Sequence, residues 1–242
     1  MIYVISDIHG CYKEYKKLLK KINFSEADEL YVLGDVVDRG EEPMKVLFDM
    51  MLRPNVYPII GNHDYMALSL LSKLSVEITE ENVESQLNGN IMESYFHWMQ
   101  DGGKTTVESF KKLSRNQKEE VLEYLKDFAL YEEVEVNGKR FVLVHADLHG
   151  YEEGKEFDEY SLADLIFYRA DYTKRYFKNE DTFLVTGHTP TCLIREDGNS
   201  FVYEKNGHIA IDCGCVYGER LAAYCLDNGN VEYVMKENEI HE

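Results

Sequence analysis

The stretch "YVLGDVVDRG", residues 31–40, decides how this sequence is interpreted. A strand-forming run ends at Leu33 and is followed by a glycine. Asp35, Asp38 and Arg39 come directly afterwards. Charged groups at the mouth of a buried strand are costly unless something compensates them. The stretch therefore predicts a buried strand whose end carries a charged site with a partner.

The first third of the chain repeats one pattern three times: a short apolar strand, a polar turn with glycine, and an amphipathic helix. The predicted strands are "IYVI" (2–5), "LYVL" (30–33) and "VYPII" (56–60). The apolar positions after the first strand recur at helical spacing, the second helix begins near Pro43, and the third runs from about residue 65 to 74. Strands that alternate with helices predict crossover units around a largely buried sheet, with ligands beyond the carboxyl ends of its strands.

The three turns are dense in Asp, His and Asn: "SDIHG" (6–10), "GDVVDRG" (34–40) and "GNHD" (61–64). One such turn alone would be explained by ordinary turn chemistry. Three at corresponding positions favour a shared site instead. Two later strand ends, "FVLVHAD" and "TFLVTGHTP", add a histidine each. The resulting polar set is Asp7, His9, Asp35, Asn62, His145 and His188, with Asp38, Arg39 and His63 beside it.

The rest of the chain differs in character. Residues 75 to about 128 are polar and mostly helical in pattern, which indicates a helical insertion over the sheet edge within one domain of residues 1–242. After residue 130 the pattern is rich in strands. Asn137-Gly138 and Asn228-Gly229-Asn230 each separate two strand-like runs and predict two hairpins.

Composition narrows the classes of partner. The 45 acidic and 26 basic residues give a formal net charge of -19, so we expect neither nucleic acid nor a membrane surface as partner. The chain has no signal-peptide pattern and no apolar run long enough to cross a bilayer. Five cysteines, an odd number, indicate a reducing compartment, and we expect a cytoplasmic protein. Cys213 and Cys215 form a lone C-x-C, which favours strand-end packing over a zinc half-site.

The polar set has the ligand types of two divalent first-row metals, because imidazole and carboxylate both suit such ions. We expect Asp35, on the central loop, to bridge the two ions. Two cations about 3.5 to 4 Å apart can hold an activated water and polarise a phosphoryl oxygen. Arg39 belongs beside them, since its planar donor fork matches phosphate oxygens.

The series "DIHG", "GDVVDRG", "GNHD", "HAD" and "GHTP" resembles the metal-dependent phosphoprotein phosphatases of the calcineurin-like metallophosphoesterases, in their bacterial and phage branch. The likeness runs from Tyr3 to about Leu226 and includes "HWMQDGG" (97–103), "LIFYRAD" (165–171) and "IDCGCVYGERL" (211–221). It implies an α/β fold, a sandwich of two mixed β-sheets flanked by helices.

The resemblance also implies roles for individual residues. His63 would be the general acid, oriented and kept charged by Asp38, because a carboxylate partner raises the pKa of a histidine. Arg39 and Arg169 would hold phosphate oxygens, with a surface ion pair as the alternative for Arg169. The first metal would bind Asp7, His9 and Asp35, and the second would bind Asp35, Asn62, His145 and His188. We expect Mn²⁺, with iron, zinc or nickel as alternatives.

The chain departs from the eukaryotic members in having GNHD for GNHE and HAD for HGG, and both forms fit the bacterial branch. Tyr217 stands where relatives place a residue over the site, and a packed tyrosine fits this position equally well.

The expected substrate is a phosphoprotein or a small phosphorylated molecule. "VVDRG", "GHTP" and the absence of a basic groove favour a serine/threonine protein phosphatase, with dual specificity as a variant. Hydrolysis of dinucleoside tetraphosphates is the alternative, and a non-catalytic binding protein on the same fold is a third. We expect a monomer or a weak homo-oligomer.

Overall fold

The computed structural model of this protein describes residues 1–74 and 89–237. Residues 75–88, the beginning of the expected helical insertion, lie outside this part of the chain. In the described part, two five-stranded mixed β-sheets are flanked by helices. The expected α/β sandwich is therefore confirmed.

The first sheet has the spatial order β10-β9-β1-β2-β3. The strands β1, β2 and β3, from the start of the chain, run parallel to one another. The C-terminal strand β9 pairs antiparallel with β1, and β10 pairs antiparallel with β9. The strands are β1 (Ile2–Ile5), β2 (Glu29–Leu33), β3 (Val56–Ile59), β9 (Arg220–Cys225) and β10 (Val231–Met235).

The second sheet has the order β4-β5-β6-β8-β7. The hairpin β4–β5 is antiparallel around Asn137-Gly138, whereas β5, β6 and β8 run parallel. The strands are β4 (Tyr131–Val136), β5 (Lys139–Val144), β6 (Thr182–Thr186), β7 (Tyr203–Lys205) and β8 (His208–Ala210).

Helices cover the outer faces. They are α1 (Tyr12–Lys21), α2 (Pro43–Met51), α3 (Asn62–Leu74), α4 (Gly89–Trp98), α5 (Lys104–Lys111), α6 (Arg115–Lys126) and the short α7 (Leu162–Ile166). A π-helical turn, Met99–Gly103, joins α4 to α5. None of the described helices is both long enough and apolar enough to cross a bilayer.

Side chains alternate between the two faces of β1 and β2, and both faces of these strands are buried. Val4 and Leu33 pack in the apolar layer between the sheets, together with Phe141 and Val185 of the second sheet. Ile5, their neighbour on the opposite face, packs beneath the helices. Because successive side chains point to opposite faces, a strand that is buried on both faces needs an apolar residue at nearly every position.

One element boundary differs from the sequence expectation. The third helix begins at Asn62 and not near residue 65. Asp64 in its first turn accepts a hydrogen bond from the Gly61 backbone N–H at 3.1 Å, which stabilises an earlier helix start. The "GNHD" motif is therefore largely the first turn of α3.

Candidate metal and phosphate site

The strand-end loops are joined by backbone hydrogen bonds. Asp7 N–H donates to the Gly34 carbonyl at 3.1 Å, and His9 N–H donates to the Asp35 carbonyl at 2.8 Å. On the second sheet, Gly187 N–H donates to the His145 carbonyl at 2.8 Å. Between the sheets, the His188 N–H donates to Asp7 Oδ2 at 3.0 Å. The carboxyl ends of strands from both sheets thus meet at one edge, as the sequence predicted for this class of sheet.

The backbone is strained where the candidate side chains leave it. Nine non-glycine residues of the described chain have positive φ, and three of these are asparagines in turns. Left-handed backbone is uncommon outside glycine, although Asn, Asp and His adopt it more often than other residues, and it is concentrated at functional sites. The other six are all candidate site residues: Asp7, His9, Asp35, Asp38, Arg39 and His188.

Two glycines allow carboxylates to approach the backbone closely. A Cβ atom on Gly61 would stand 2.2 Å from Asp35 Oδ1, and one on Gly187 would stand 2.2 Å from Asp7 Oδ2. Any side chain at either position would displace a carboxylate from the site.

One group of possible metal ligands contains Asp35, His145 and His188. His145 Nδ1 lies 2.7 Å from the Leu33 carbonyl oxygen, so Nδ1 carries the hydrogen and Nε2 presents a lone pair. That Nε2 lies 3.0 Å from Asn62 Oδ1, 3.2 Å from His188 Nδ1 and 3.5 Å from Asp35 Oδ1. Amide oxygen, carboxylate oxygen and imidazole lone pairs that converge in this way fit a divalent cation.

A second group contains His9, Asp35 and His63. His9 Nδ1 donates to the Val37 carbonyl at 2.8 Å, which again leaves Nε2 as an acceptor. Nε2 lies 3.6 Å from Asp35 Oδ2 and accepts a hydrogen bond from Arg39 Nη1 at 2.7 Å. Asp35 belongs to both groups, one carboxylate oxygen facing each.

Asp7 lies at the edge of this arrangement. It is in neither three-residue group, and its Oδ2 accepts a hydrogen bond from the His188 backbone N–H at 3.0 Å. Burial, together with the neighbouring Asp212, raises the pKa of Asp7 well above its usual value. Burial and Asp7 do the same to the pKa of Asp35. Buried carboxylates in mutual repulsion fit a site that takes up positive charge.

Burial also keeps the histidines of the site neutral. It lowers the pKa of His9 and of His145 well below the usual value. The pKa of His188 falls to about 4, mainly through burial and secondarily through the positive charge of Arg169. Neutral imidazole is the form that binds metal ions.

His63 and Asp38 form a buried pair beside the groups of ligands. His63 Nδ1 lies 2.7 Å from Asp38 Oδ2, and its Nε2 lies 2.8 Å from Arg39 Nη2. The Asp38 carboxylate also accepts hydrogen bonds from Trp98 Nε1 at 2.6 Å and from Thr106 Oγ1 at 2.5 Å. Three donors fix this carboxylate, so it holds the imidazole in one orientation.

Arg39 reaches across the site and ends against Asp101. Its Nη2 lies 3.0 Å from Asp101 Oδ1, and His63 Nε2 lies 3.5 Å from Asp101 Oδ2. The guanidinium also faces the ring of Tyr217 at 5.6 Å. Tyr217 is 60% exposed, so of the two interpretations of this residue the packed tyrosine is wrong.

A cavity of about 490 Å³ opens above these residues, and Arg169 lines it. Arg169 takes part in no ion pair within residues 1–74 and 89–237, so its position at the cavity favours phosphate over the alternative of a surface ion pair. The lining residues are Asp35, Arg39, Asn62, His63, Asp101, Arg169, His188, Pro190, Cys192, Leu193, Asp212, Gly214, Tyr217 and Glu219.

Two buried aspartates of the site were not identified from the sequence as site residues. Asp64 Oδ1 accepts hydrogen bonds from the backbone N–H groups of Val36 and Val37 at 3.0 and 3.3 Å, and so ties α3 to the central loop. Asp212 lines the cavity, and burial raises its pKa to about 6. Their only sequence signal was their presence within "GNHD" and "IDCGC".

The C-x-C pair does not form a joint metal site in the described part of the chain. Cys213 and Cys215 are both buried, but only Cys215 joins a group of possible ligands, with Cys11 and Glu14. Cys213 packs at the strand end, where its Sγ accepts from Thr191 Oγ1 at 3.9 Å, whereas for Cys215 the preference for packing over a zinc half-site stays a prediction.

Proteins with similar sequences are named either as bis(5'-nucleosyl)-tetraphosphatases or as a serine/threonine-protein phosphatase. A symmetrical bis(5'-nucleosyl)-tetraphosphatase of Wigglesworthia glossinidia brevipalpis is 32% identical over 46% of this chain and 42% of its own length. The chain thus matches about two fifths of that relative. The asymmetrical tetraphosphatase PrpE of a Geobacillus strain is 26% identical over 92% of this chain and 89% of its own. Serine/threonine-protein phosphatase 2 of Salmonella typhimurium is 32% identical over 65% and 64%.

Among solved structures, a putative diadenosine tetraphosphatase superimposes with a TM-score of 0.64 over 98% of this chain and 94% of its own, at 20% identity. This likeness supports the fold alone. The model of the calcineurin-like phosphoesterase family matches residues 1–192, which include all but the last of the site loops. The chain therefore belongs to the calcineurin-like phosphoesterase family.

Proposed function

We propose that this protein is a dimetal-dependent phosphatase that hydrolyses phosphomonoesters, with phosphorylated serine or threonine of proteins as its substrate. The observation that carries the proposal is the position of Asp35, whose two carboxylate oxygens face two separate groups of possible ligands. His63 and Arg39 lie directly beside them. This combination suits hydrolysis better than it suits simple binding, because a binding site needs no positioned proton donor.

Asp7, His9 and Asp35 would hold one divalent ion, and Asp35, Asn62, His145 and His188 would hold the other. The pair of ions would supply positive charge for the phosphoryl group and an activated water. The carbonyl partners of His9 and His145 fix the tautomers that such binding needs. We propose Mn²⁺ as the native metal, with iron, zinc or nickel as alternatives.

His63 would donate the proton to the leaving oxygen of the substrate. Its Nδ1 bonds to Asp38, so Nε2 is the nitrogen that remains for the substrate. Because Asp38 is fixed by Trp98 and Thr106, it can stabilise the charged imidazolium until the proton is transferred.

Arg39 and Arg169 would bind the phosphate oxygens. Arg39 now donates to His9, His63 and Asp101, and a phosphate that took the place of these acceptors would free His63 Nε2 to carry the proton. Arg169 lines the same cavity from the second half of the chain. Two guanidinium groups stabilise the charge that develops on phosphate during in-line displacement.

The choice of a protein substrate rests on three observations: the "VVDRG" and "GHTP" motifs, the strongly acidic chain, and the Salmonella relative named as a serine/threonine phosphatase. Hydrolysis of dinucleoside tetraphosphates is the second candidate. It is favoured by the Geobacillus relative and by Tyr217, whose exposed ring at the cavity could stack on a base.

The remaining expectations stay predictions. They are a single domain of residues 1–242 with its insertion at about 75–128, a cytoplasmic location, a monomer or weak homo-oligomer, and a substrate other than nucleic acid or membrane.

The test compares turnover by the manganese-loaded protein of a phosphopeptide panel, followed by phosphate release, and of diadenosine tetraphosphate, followed by chromatography of the nucleotide products, with a metal-stripped control. Faster metal-dependent release from phosphopeptides would support the proposal. Preference for the dinucleotide would transfer it to the second candidate, and turnover of neither would contradict both.

A further inference from the structure

Beside the candidate site, at the start of α1, lies a buried cluster that the proposed function does not use. It contains Cys11, Glu14 and Cys215, whose Sγ and carboxylate oxygen atoms all lie within 4.8 Å of one another. Each of the three residues is 1% exposed. Cys11 stands between His9 and α1, and Cys215 follows Gly214 in the late loop.

Two thiols and a carboxylate resemble a metal site, but the cluster already contains a cation. Lys236 Nζ lies 3.3 Å from Glu14 Oε2, and Glu237 N–H donates to Glu14 Oε1 at 3.2 Å. A metal ion would have to displace this ammonium group from its carboxylate. The pair of thiols is therefore the chemically available part of the cluster.

We propose that Cys11 and Cys215 are a modification site, at which a small hydroperoxide converts the two thiols to a disulfide. Cys11 lines a cleft together with Gly10, Gly40 and Lys236, whereas Cys215 does not reach it. Cys11 is thus the sulfur that the oxidant meets first, and Cys215 is the sulfur that resolves the product.

The two steps balance. The Cys11 sulfur attacks the peroxide, the O–O bond breaks, and Cys11 becomes a sulfenic acid while the peroxide leaves as water or an alcohol. The Cys215 sulfur then attacks the Cys11 sulfur, the S–O bond breaks, and water leaves with the remaining thiol proton. Two thiols are oxidised by two electrons, and one peroxide is reduced.

The geometry selects this pair over the other cysteines. Cys11 and Cys215 belong to the same apolar cluster, whereas Cys213 packs in the separate layer between the sheets. The sulfur atoms must close from at most 4.8 Å to about 2.05 Å. Cys215 begins a short 3₁₀ turn between Gly214 and Gly218, both with positive φ, and the closure would take place at this turn.

The experiment uses the whole chain, reduced and then exposed to one equivalent of hydrogen peroxide. Remaining thiols are alkylated, and peptides from a non-reducing digest are identified by mass spectrometry. We expect a linked pair of peptides containing Cys11 and Cys215, two hydrogens lighter than the reduced pair and separated by a thiol reductant. This readout measures no turnover, so it stands apart from the proposed function.

Two variants sharpen the result. Cys213→Ala, a buried control two positions from Cys215, should still give the linked pair. Cys215→Ala should give none and should instead leave Cys11 as a sulfenic acid that a dimedone-type reagent labels. Complete alkylation of Cys11 after peroxide, or linkage of Cys11 to Cys192 or Cys213, would overturn the proposal. So would protection of both thiols by stoichiometric Zn²⁺ in the protein as purified.

Discussion

His63 Nδ1 lies 2.7 Å from Asp38 Oδ2, and the two side chains are among the most buried polar groups of the described chain, with 1% and 0% exposed. The Asp38 carboxylate also accepts hydrogen bonds from Trp98, at the end of α4, and from Thr106, in α5. The helices that follow "GNHD" thus take part in positioning the proposed acid. The pair orients one imidazole nitrogen toward the cavity that His63 lines.

Replacement of His63 by Asn should abolish most turnover without removing metal. A general acid contributes roughly 10² to 10⁴ in rate, so we expect a loss of that size in kcat. Metal content by elemental analysis should match the unmodified protein. His97→Asn is the matched control, since His97 is 71% exposed. Unchanged turnover in His63→Asn would remove this residue from the mechanism.

Replacement of Asp35 by Asn should lower the occupancy of both metal positions, because its two oxygens face the two groups of ligands. Titration of the stripped protein with Mn²⁺, followed by calorimetry, gives the stoichiometry. Asp49→Asn is the control for a largely buried aspartate, since Asp49 is 12% exposed and pairs with Lys16 and Arg53 away from the site. Loss of a single ion would show that Asp35 does not bridge.

Replacement of Arg169 by Ala should lower kcat/KM, with the larger part in kcat, because the guanidinium would stabilise the charge that develops on phosphate. A hydrogen bond to a charged group contributes about 1.5 to 3 kcal/mol, which corresponds to roughly tenfold to hundredfold in kcat/KM. Steady-state kinetics with a phosphopeptide measures this, and Arg169→Lys should recover part of the loss. Arg115→Ala, at a side chain 90% exposed, should behave as the unmodified protein. Equal kinetics for the Arg169 and Arg115 variants would leave Arg169 without a role in binding.

The histidine His208 should make the fold sensitive to acid. Burial lowers its pKa from 6.5 to about 3, so below pH 6.5 the unfolded chain binds a proton that the folded protein does not. The stabilising effect of neutral His208 is present above pH 6.5 and is lost as the pH falls toward 3. The expected loss is about 2 kcal/mol between pH 7 and pH 5.

His208→Gln removes this titration and can keep the bond to Thr186 Oγ1, now 2.8 Å from His208 Nε2. Denaturant unfolding at pH 7 and pH 5 should show a smaller pH effect in this variant. The exposed His97→Gln should show the full effect. The same pH effect in all three proteins would exclude His208 as its source.

The architecture and the assembly of the polar loops could be predicted because they depend on local patterns. Strand and helix periods fixed the crossover units, and Asn-Gly dipeptides fixed the hairpins. The start of α3 could not be located, since it depends on how Asp64 bonds to Gly61. The neighbours Cys11 and Cys215 are far apart in sequence, and only tertiary packing brings them together. The ligand and catalytic roles of the site residues stay predictions.

Asp101 is the case in which sequence and structure differ most in what they indicate. It was one letter of "HWMQDGG", yet the π-helical turn brings its carboxylate to 3.0 Å from Arg39 Nη2 and 3.5 Å from His63 Nε2. The Arg39 backbone N–H donates to the Gly102 carbonyl at 2.9 Å, which holds the turn in this place. Asp101 therefore forms an ion pair with the Arg39 guanidinium, the group that we propose binds the phosphate oxygens.

Asp101→Asn should strengthen phosphate binding, because it removes a negative charge from the place where a dianion arrives. Charges 4 Å apart in water interact by about 1 kcal/mol, so KM and the inhibition constant of inorganic phosphate should each fall roughly fivefold. The difference should shrink at high ionic strength, since Asp101 is half exposed and its charge is screened. Asp127→Asn is the control, because Asp127 is an exposed aspartate at the end of α6, and this variant should change neither constant. If instead kcat falls while both constants stay the same, Asp101 positions His63 and does not compete with phosphate.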